Sequence, residues 1–212
     1  MKDIAIFGAG GFGKEVACII NSIKNVNNVW NLIGFFDDGL EKNTYSEYGM
    51  ILGGIDDLNQ WTSPLSIVIA IANPKILKTI ASKITNALID FPNIIAPNVY
   101  MMDADSIQMG QGNVICPNAI ISCNVKLGSF NLLNVQTQVG HDSEMGNFNV
   151  VMPSVNISGG AKIGNSNLFG VKSIILQYKT IGNEVTITPG SVMTRDGSDG
   201  KMYLGNPAKI FM

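Results

Sequence analysis

The chain has 212 residues and a mass of 22.7 kDa, of which 46% are hydrophobic and only 14% are charged. A formal net charge of -2 and a pI near 5.3 exclude the surplus of cations that binding to a nucleic-acid backbone requires. We find no leader pattern and no stretch of about twenty apolar residues, so we expect a cytoplasmic protein without membrane insertion. Cys18, Cys116 and Cys123 have no framework spacing, which favours reduced thiols.

The first predicted element is a buried strand over Asp3 to Phe7, followed by a glycine-rich turn into an amphipathic helix. In this context, a G-x-G-x-x-G spacing lets backbone N–H groups at the start of a helix approach a phosphate. We therefore predict that this loop binds the nucleotide part of a substrate. Its residues are Gly8, Gly10, Gly11, Phe12 and Gly13. A tight turn that binds nothing stays open as the alternative, because the motif alone is weak.

A second strand, predicted over Leu32 to Phe36, ends in the acidic pair Asp37 and Asp38. An acidic residue at this place in a nucleotide-binding fold can accept hydrogen bonds from a ribose. We therefore add both aspartates to the predicted substrate-binding residues.

The alternation of strands and helices continues to about residue 92. We predict a third strand over Ile67 to Ala72, a helix from about Pro74 to Ile84 and a fourth strand over Ala87 to Phe91. Residues 1–92 are thus predicted to form a small Rossmann-like α/β domain with a parallel sheet. The domain is too short for the two halves of a full dinucleotide fold, which argues against a nicotinamide oxidoreductase.

The second half of the chain has a six-residue repeat in which every sixth position is apolar. These positions are Met109, Ile115, Ile121, Leu127, Leu133, Val139, Met145, Val151, Ile157, Ile163, Phe169, Ile175, Ile181 and Ile187. Three such stretches make one eighteen-residue coil of a parallel β-helix, which we predict over residues 93–212. The low charge predicts that its flat faces are covered by other subunits.

Glycine and asparagine recur every eighteen residues within this repeat. The recurring residues are Gly110, Gly128, Gly146, Gly164 and Gly182, with Asn113, Asn131, Asn149 and Asn167. Because both residue types adopt a left-handed backbone easily, we expect them to form one stacked corner of the coil. We expect the polar stretch from Arg195 to Lys201 to be a mobile loop without a role.

His141 is the only histidine of the chain, and it follows the apolar position Val139 and Gly140. This spacing predicts that it lies at a corner of the coil and outside the core. A carboxylate beside an imidazole can fix its tautomer, so His141 with Asp142 is a candidate general base. A solvated corner histidine without a function stays open as the alternative.

A catalytic metal is not expected. The zinc site of γ-class carbonic anhydrases, which use the same β-helix, takes three histidines, and this chain has one. Cys116 and Cys123 are seven residues apart and no cluster of acids or thiols accompanies them, so they are not expected to bind a metal. Cysteines of this kind more often serve as small buried residues.

Taken in their order along the chain, these motifs resemble one family. The glycine loop, the Asp37-Asp38 pair, the eighteen-residue coils, Gly140-His141-Asp142 and the ending Gly205-Asn206-Pro207-Ala208-Lys209 are similar to bacterial sugar acetyltransferases. These include sialic acid O-acetyltransferases, UDP-4-amino-sugar N-acetyltransferases and perosamine N-acetyltransferases. The resemblance implies a left-handed parallel β-helix, a homotrimer and acetyl-CoA as the acetyl donor. It also implies an active site between adjacent subunits and an acceptor that is a nucleotide-linked or free sugar.

The same resemblance implies roles for single residues. His141 matches the catalytic base, Asp142 its orienting partner, and Gly159 the residue whose N–H contacts the thioester carbonyl. The segments that match the CoA channel are Gly170 and the run Gly205, Asn206, Pro207, Ala208 and Lys209. With no nucleophile placed beside a base, we expect direct transfer in a ternary complex and no acyl-enzyme.

Two positions depart from the pattern of some UDP-amino-sugar enzymes. Phe12 stands where those enzymes have histidine in the glycine loop, and Val150 stands where they have a second histidine. The sequence leaves open N- or O-acetylation and the identity of the sugar and of its carrier. A non-catalytic trimeric scaffold that binds a nucleotide is the alternative from another class.

Overall fold

The structure, a computed structural model, describes residues 1–211 and divides into two compact units, Met1–Pro97 and residues 98–211. The predicted fold class is confirmed: a small Rossmann-like sheet with helices is followed by a parallel β-helix of short repeated strands. Among residues 1–211, no helix has both the length and the apolar content that a membrane span needs.

The first unit contains a six-stranded sheet and three helices. Its elements are β1 Lys2–Phe7, α1 Gly11–Asn27, β2 Trp30–Phe36, β3 Tyr45–Ser46, β4 Gly49–Gly53, α2 Ile55–Asn59, β5 Leu65–Ile69, α3 Pro74–Lys83, β6 Ile89–Asp90 and β7 Ile94–Ile95. The sheet order is β3-β4-β2-β1-β5-β6, and all neighbours are parallel except β3 and β4. Because β1 lies between β2 and β5, the glycine loop after β1 is at the switch point of the sheet, where open α/β folds bind ligands.

The sequence pattern does not predict β3, β4 and α2. Each of these elements has five residues or fewer, which is too short for a periodic signal. The third predicted strand is β5, which begins and ends earlier than the predicted Ile67 to Ala72 because its buried residues start at Leu65.

The second unit is built from two-residue strands with one three-residue strand. Its elements are β8 Tyr100–Met101, a 3₁₀ turn Ala104–Ser106, β9 Gln108–Met109, β10 Val114–Ile115, β11 Ile120–Ile121, β12 Lys126–Leu127, β13 Leu132–Leu133, β14 Gln138–Val139, β15 Glu144–Met145, β16 Val150–Val151, β17 Asn156–Ile157, β18 Lys162–Ile163, β19 Leu168–Phe169, β20 Ile174–Ile175, β21 Thr180–Ile181, β22 Thr186–Ile187, β23 Val192–Met193, β24 Met202–Leu204 and β25 Lys209–Ile210.

From β9 to β20, each strand pairs in parallel with the strand eighteen residues later, as Ile121 does with Val139. This register stacks β8, β11, β14, β17, β20 and β23 on one face and β9, β12, β15, β18 and β21 on another. The six-residue apolar positions point inward, and Ile115, Ile121 and Leu133 have no exposed surface. The repeat seen in the sequence is therefore the core of the coil.

The corners of the β-helix differ from the sequence expectation. One residue in every six has a positive φ, from Gly112 to Gly190, and the recurring glycines and asparagines that we expected to form a corner are not among them. The glycines that recur every eighteen residues, such as Gly110 and Gly128, are needed because the backbones of neighbouring coils approach closely there. A Cβ on Gly128 would lie 2.6 Å from the carbonyl oxygen of Gly146. The sequence correctly showed a period, but its interpretation as left-handed backbone was wrong.

The recurring asparagines form a buried ladder along the coil axis. The Asn149 side-chain amide donates to Asn131 Oδ1 and to the carbonyl of Gly164, each at 3.0 Å. Asn149 Oδ1 accepts from the backbone N–H and the side-chain amide of Asn167, at 3.0 and 2.9 Å. Asn149 is fully buried, so these bonds satisfy polar groups that have no access to water.

The segment from Arg195 to Lys201, expected to be a mobile loop, is bonded to the preceding coil. The N–H of Gly197 donates to the carbonyl of Thr180, and the N–H of Gly182 donates to the carbonyl of Gly197. Asp199 accepts from the N–H of Asn183 at 2.7 Å, which lowers the pKa of its carboxyl group. Side-chain and backbone bonds thus continue the coil where the strand pattern ends.

Candidate active site

His141 lies at the corner between β14 and β15, outside the core, as its spacing predicted. Its carbonyl accepts from the N–H of Gly160 at 2.7 Å, and the next residue, Asp142, has φ +57° and donates its N–H to the carbonyl of Cys123 at 3.1 Å. The left-handed backbone at Asp142 makes the turn, which directs the imidazole away from the core. The His141 side chain is 54% exposed.

The side chains of His141 and Asp142 belong to one hydrogen-bonded chain. His141 Nδ1 is 2.7 Å from Asp142 Oδ2, and the side-chain amide of Asn124 donates to Asp142 Oδ1 at 3.1 Å. The bond with His141, and then the bond with Asn124, hold the pKa of the Asp142 carboxyl below its usual value. A carboxylate bonded to Nδ1 leaves Nε2 free to accept a proton, which is the arrangement of a general base.

Gly159, one coil after His141, lies directly under the imidazole ring. A Cβ on Gly159 would be 2.5 Å from His141 Nε2 and 2.7 Å from Cε1, so the ring packs on the bare Cα. Gly159 is buried, and its backbone N–H has no acceptor among residues 1–211. Buried unpaired donors are rare and costly, and a ligand oxygen would satisfy this one.

Gly140 explains how the two coils come close enough for this contact. A Cβ on Gly140 would collide with the backbone nitrogen and Cα of Gly159. The residues one coil before and one coil after Gly140, Ser122 and Ser158, have side chains, so only this rung of the column needs glycine.

Two contributors to the site were not assigned from the sequence. Asn124 stands eighteen residues before Asp142 in the same corner column, so the period could have identified it as a neighbour. Gly140 was noted only as part of the motif, because its contact with Gly159 depends on the spacing between coils.

The residues expected to line a CoA channel do not surround His141 within one chain. Gly170 lies between β19 and β20, at another corner, and a Cβ there would be 2.8 Å from the carbonyl oxygen of Ile187. Gly205 has φ +100°, and the Asn206–Pro207 peptide bond is cis. Ala208 is buried, whereas Lys209 is exposed.

The glycine loop of the first unit has one packed side and one open side. A Cβ on Gly13 would collide with the carbonyl oxygen of Gly8, whereas one on Gly10 or Gly11 would meet no atom within 4 Å. The open side lies at the start of α1, where unpaired N–H groups favour an anion. Phe12 is partly exposed on the same turn.

The aspartates after β2 have structural partners. Asp37 accepts from the N–H of Ala9 at 2.8 Å and from the N–H of Gly39 at 2.9 Å, which ties the glycine loop to the end of β2. Asp38 Oδ1 accepts from the N–H of Ile55 at 2.7 Å, at the start of α2. Each carboxylate oxygen can accept a second bond, so the arrangement leaves capacity for a hydroxyl donor.

Within residues 1–211, no group of three or more histidine, cysteine, aspartate or glutamate side chains is arranged to hold a metal ion. The chemistry that this arrangement supports is proton transfer at His141 beside a backbone donor that stabilises a developing oxyanion.

Comparison with known proteins identifies relatives of both units. Residues 3–84 match the family model of the PglD N-terminal domain. Over 145 residues the chain is 30% identical to GDP-perosamine N-acetyltransferase from Escherichia coli O157:H7, an alignment that covers 68% of this chain and 64% of the relative. The matched part thus spans a little under two thirds of that relative's length.

Solved structures extend the similarity to the whole chain. The acetyltransferase domain of PglB from Neisseria gonorrhoeae FA1090, in complex with acetyl coenzyme A, superposes with a TM-score of 0.89 at 28% identity, covering 99% of both chains. PerB from Caulobacter crescentus, in complex with CoA and GDP-perosamine, has a TM-score of 0.89 at 21% identity, covering 100% of this chain and 98% of that one. At 21% identity, the second likeness is evidence of a shared fold.

Proposed function

Because the chain belongs to the bacterial sugar acetyltransferase family, we propose that it transfers an acetyl group from acetyl-CoA to an amino group, or a hydroxyl group, of a nucleotide-linked sugar. One observation carries the proposal. The Asp142-bound imidazole of His141 packs on Gly159, whose buried N–H has no acceptor among the described residues.

The residues present fit the acetyl donor. Acetyl-CoA supplies an activated acyl carbon, a carbonyl oxygen that gains negative charge during transfer, and a thiolate leaving group. The unpaired N–H of Gly159 is the kind of rigid donor that stabilises such an oxygen without rearrangement. No side chain is interposed there, because Gly159 has none.

The catalytic steps follow from the positions of His141 and Gly159. His141 Nε2 accepts the proton of the acceptor amine as the nitrogen forms its bond to the acyl carbon. The Gly159 N–H donates to the oxyanion of the tetrahedral intermediate. The C–S bond then breaks, the CoA thiolate leaves and takes up a proton from water, and the imidazolium of His141 gives its proton to water, which leaves the N-acetyl sugar and free CoA. Asp142 keeps Nδ1 protonated throughout and stabilises the imidazolium.

We assign the nucleotide of the acceptor to the glycine loop of the first unit. The open side at Gly10 and Gly11 lies at the start of a seventeen-residue helix and suits a phosphate group. The free capacity of Asp37 and Asp38 suits ribose hydroxyls. The named relative from Escherichia coli acts on a GDP-linked amino sugar, which supports the same acceptor class here.

The assembly proposed for this chain is a homotrimer with the His141 corner facing a second subunit. Exposed apolar residues support it: Tyr100, Met102 and Leu176 are 61%, 57% and 39% exposed and lie on or next to strands of the face that contains β14. Such a surface is costly in water, and a neighbouring copy would cover it. Light scattering of the purified protein distinguishes a trimer from a monomer.

The experiment that tests the function measures release of CoA thiol from acetyl-CoA with UDP-, GDP-, dTDP- and CMP-linked amino sugars. We expect turnover with one acceptor class, and we expect His141→Ala to lose about 10² to 10⁴ in kcat without losing thermal stability. A folded His141→Ala protein with full turnover would refute the assignment of the base. Acetyl-CoA binding without transfer to any of these sugars would refute the acceptor class.

A further inference from the structure

Tyr178 occupies the same corner column as Asp142, two coils later. Its φ is +59° and its side chain projects from the corner, with the residue 70% exposed. The sequence repeat gave no reason to expect an aromatic ring here, because the apolar position of this stretch is Ile175. An exposed aromatic at the edge of a polar site is available for contact with a ligand.

The rings of His141 and Tyr178 pack on two adjacent glycines, Gly159 and Gly160 respectively, from opposite sides. His141 precedes Gly159 by one coil and leans forward onto its Cα, whereas Tyr178 follows Gly160 by one coil and leans back onto its Cα. A Cβ on Gly160 would collide with the tyrosine ring. The backbone of Gly159 and Gly160 therefore forms a bare floor between an imidazole and a phenol ring.

The proposed reaction indicates which substrate lies on each side of these two glycines. The acceptor nitrogen must reach His141 Nε2 to lose its proton, so it approaches the acyl carbon from the side of the preceding coil. With the acyl oxygen held at the Gly159 N–H, the leaving sulfur is directed away from His141, which is the side of Tyr178.

We propose that the Tyr178 ring binds the thioester sulfur and adjoining methylene groups of the acetyl donor, and so orients the leaving group. This inference rests on the acetyl transfer proposed above. Divalent sulfur is polarizable and makes favourable contacts with aromatic ring edges and faces, and the methylenes bury apolar surface there. Contact of the ring with the acceptor sugar is the competing outcome of the test.

The variants at position 178 are chosen to suit the positive φ of Tyr178. Asparagine accepts a positive φ more easily than most residues, so Tyr178→Asn removes the ring without straining the corner, and Tyr178→Phe keeps the ring without the hydroxyl. Lys172→Asn is the matched control, since Lys172 has φ +58° at another corner of the same coil.

Binding is measured by calorimetry with acetyl-CoA and with its analogue that has oxygen in place of the thioester sulfur, alongside steady-state kinetics. We expect Tyr178→Asn to weaken acetyl-CoA binding about three- to tenfold and to bind the two compounds nearly equally. Tyr178→Phe and Lys172→Asn should bind both as the wild type does. The acceptor KM should not change.

Each contrary result has a distinct meaning. An unchanged affinity for acetyl-CoA in Tyr178→Asn, or a raised acceptor KM with unchanged donor binding, overturns the role of Tyr178 and leaves the acetyltransferase proposal intact. A wild-type protein that binds no acetyl-CoA overturns both.

Discussion

His141 Nδ1 lies 2.7 Å from Oδ2 of Asp142, the next residue in the chain. Adjacent residues rarely face each other in a regular element, but here the φ of +57° at Asp142 turns its carboxylate back toward the imidazole. Asn124, one coil earlier, fixes the other carboxylate oxygen. The pair of His141 and Asp142 is therefore held in place by the backbone of its own corner and by Asn124 of the preceding coil.

The first prediction concerns the charge of this pair. Asp142→Asn keeps a residue that tolerates the left-handed backbone and an oxygen that can accept from Nδ1, but it removes the negative charge opposite the imidazolium. We expect kcat to fall about ten- to a hundredfold, with donor and acceptor KM nearly unchanged. Steady-state kinetics measure this, and Asp105→Asn, in the 3₁₀ turn, is the control. A wild-type kcat would show that the carboxylate has no catalytic effect.

The second prediction concerns pH. Because bonds from His141 and Asn124 lower the pKa of Asp142 in the folded state, their stabilisation is fully present above the unfolded pKa of about 3.9 and is lost as pH falls through the lowered folded value. Carboxyl NMR should show Asp142 titrating below an ordinary aspartate. His141→Ala should raise its pKa most and Asn124→Ala less. An Asp142 that titrates normally in the wild type would contradict the bonds described here.

The third prediction concerns the floor under His141. A methyl group on Gly159 would meet Nε2, and one on Gly140 would meet the Gly159 nitrogen. We expect either alanine variant to lose at least about a hundredfold in kcat, since each displaces the base or the N–H donor. Ser158→Ala, whose Cβ is already accommodated, should retain near-normal activity. Full activity in folded Gly159→Ala would exclude this amide and ring geometry from the chemistry.

The fourth prediction concerns the asparagine ladder. Asn149→Leu leaves the Gly164 carbonyl and the Asn167 N–H without their partner in the core, at about 1 to 3 kcal/mol for each group. The free energy of unfolding should fall by about 2 to 6 kcal/mol, measured by denaturant titration at fixed protein concentration. Asn165→Ala, in the exposed outer ladder, should cost much less. Equal losses in the two variants would mean that burial is not the cause.

The fifth prediction concerns the glycine loop. A methyl group on Gly11 meets no atom of the chain within 4 Å, so Gly11→Ala should fold normally. It projects into the space assigned to the acceptor phosphate, and we expect the acceptor KM to rise about tenfold, the equivalent of one weakened charged hydrogen bond. The KM for acetyl-CoA should not move. An unchanged acceptor titration would remove this loop from recognition, whereas unfolding is expected only of Gly13→Ala.

The sequence predicted the β-helix because its signal is local: an apolar side chain at every sixth position describes one flat side. It predicted His141 at a corner for the same reason. The contacts of Gly140 with Gly159 and of Asn124 with Asp142 join residues of neighbouring coils and depend on how closely the coils stack. The distance between neighbouring coils cannot be read from any single stretch of the sequence.

The wrong interpretation of the recurring glycines and asparagines also comes from contacts between coils that the sequence does not show. The eighteen-residue recurrence marks Asn149 and Gly128 as members of a repeat. It does not tell why glycine recurs, because glycine suits both a positive φ and a close approach of two backbones. Asparagine likewise serves both a turn and a buried ladder. Only the observed φ values separate these physical reasons.

Residues 197–211 pair with all three faces of the preceding coil. Gly197 pairs with Ile181, β24 pairs with β22 and with the antiparallel β25, and the stretch after β24 bonds to Val192. A pile of parallel rungs otherwise presents open edges that could template another molecule, as in a fibril. We therefore expect this irregular coil to oppose end-to-end association of the β-helix by covering the strand edges that the repeat would otherwise leave unpaired.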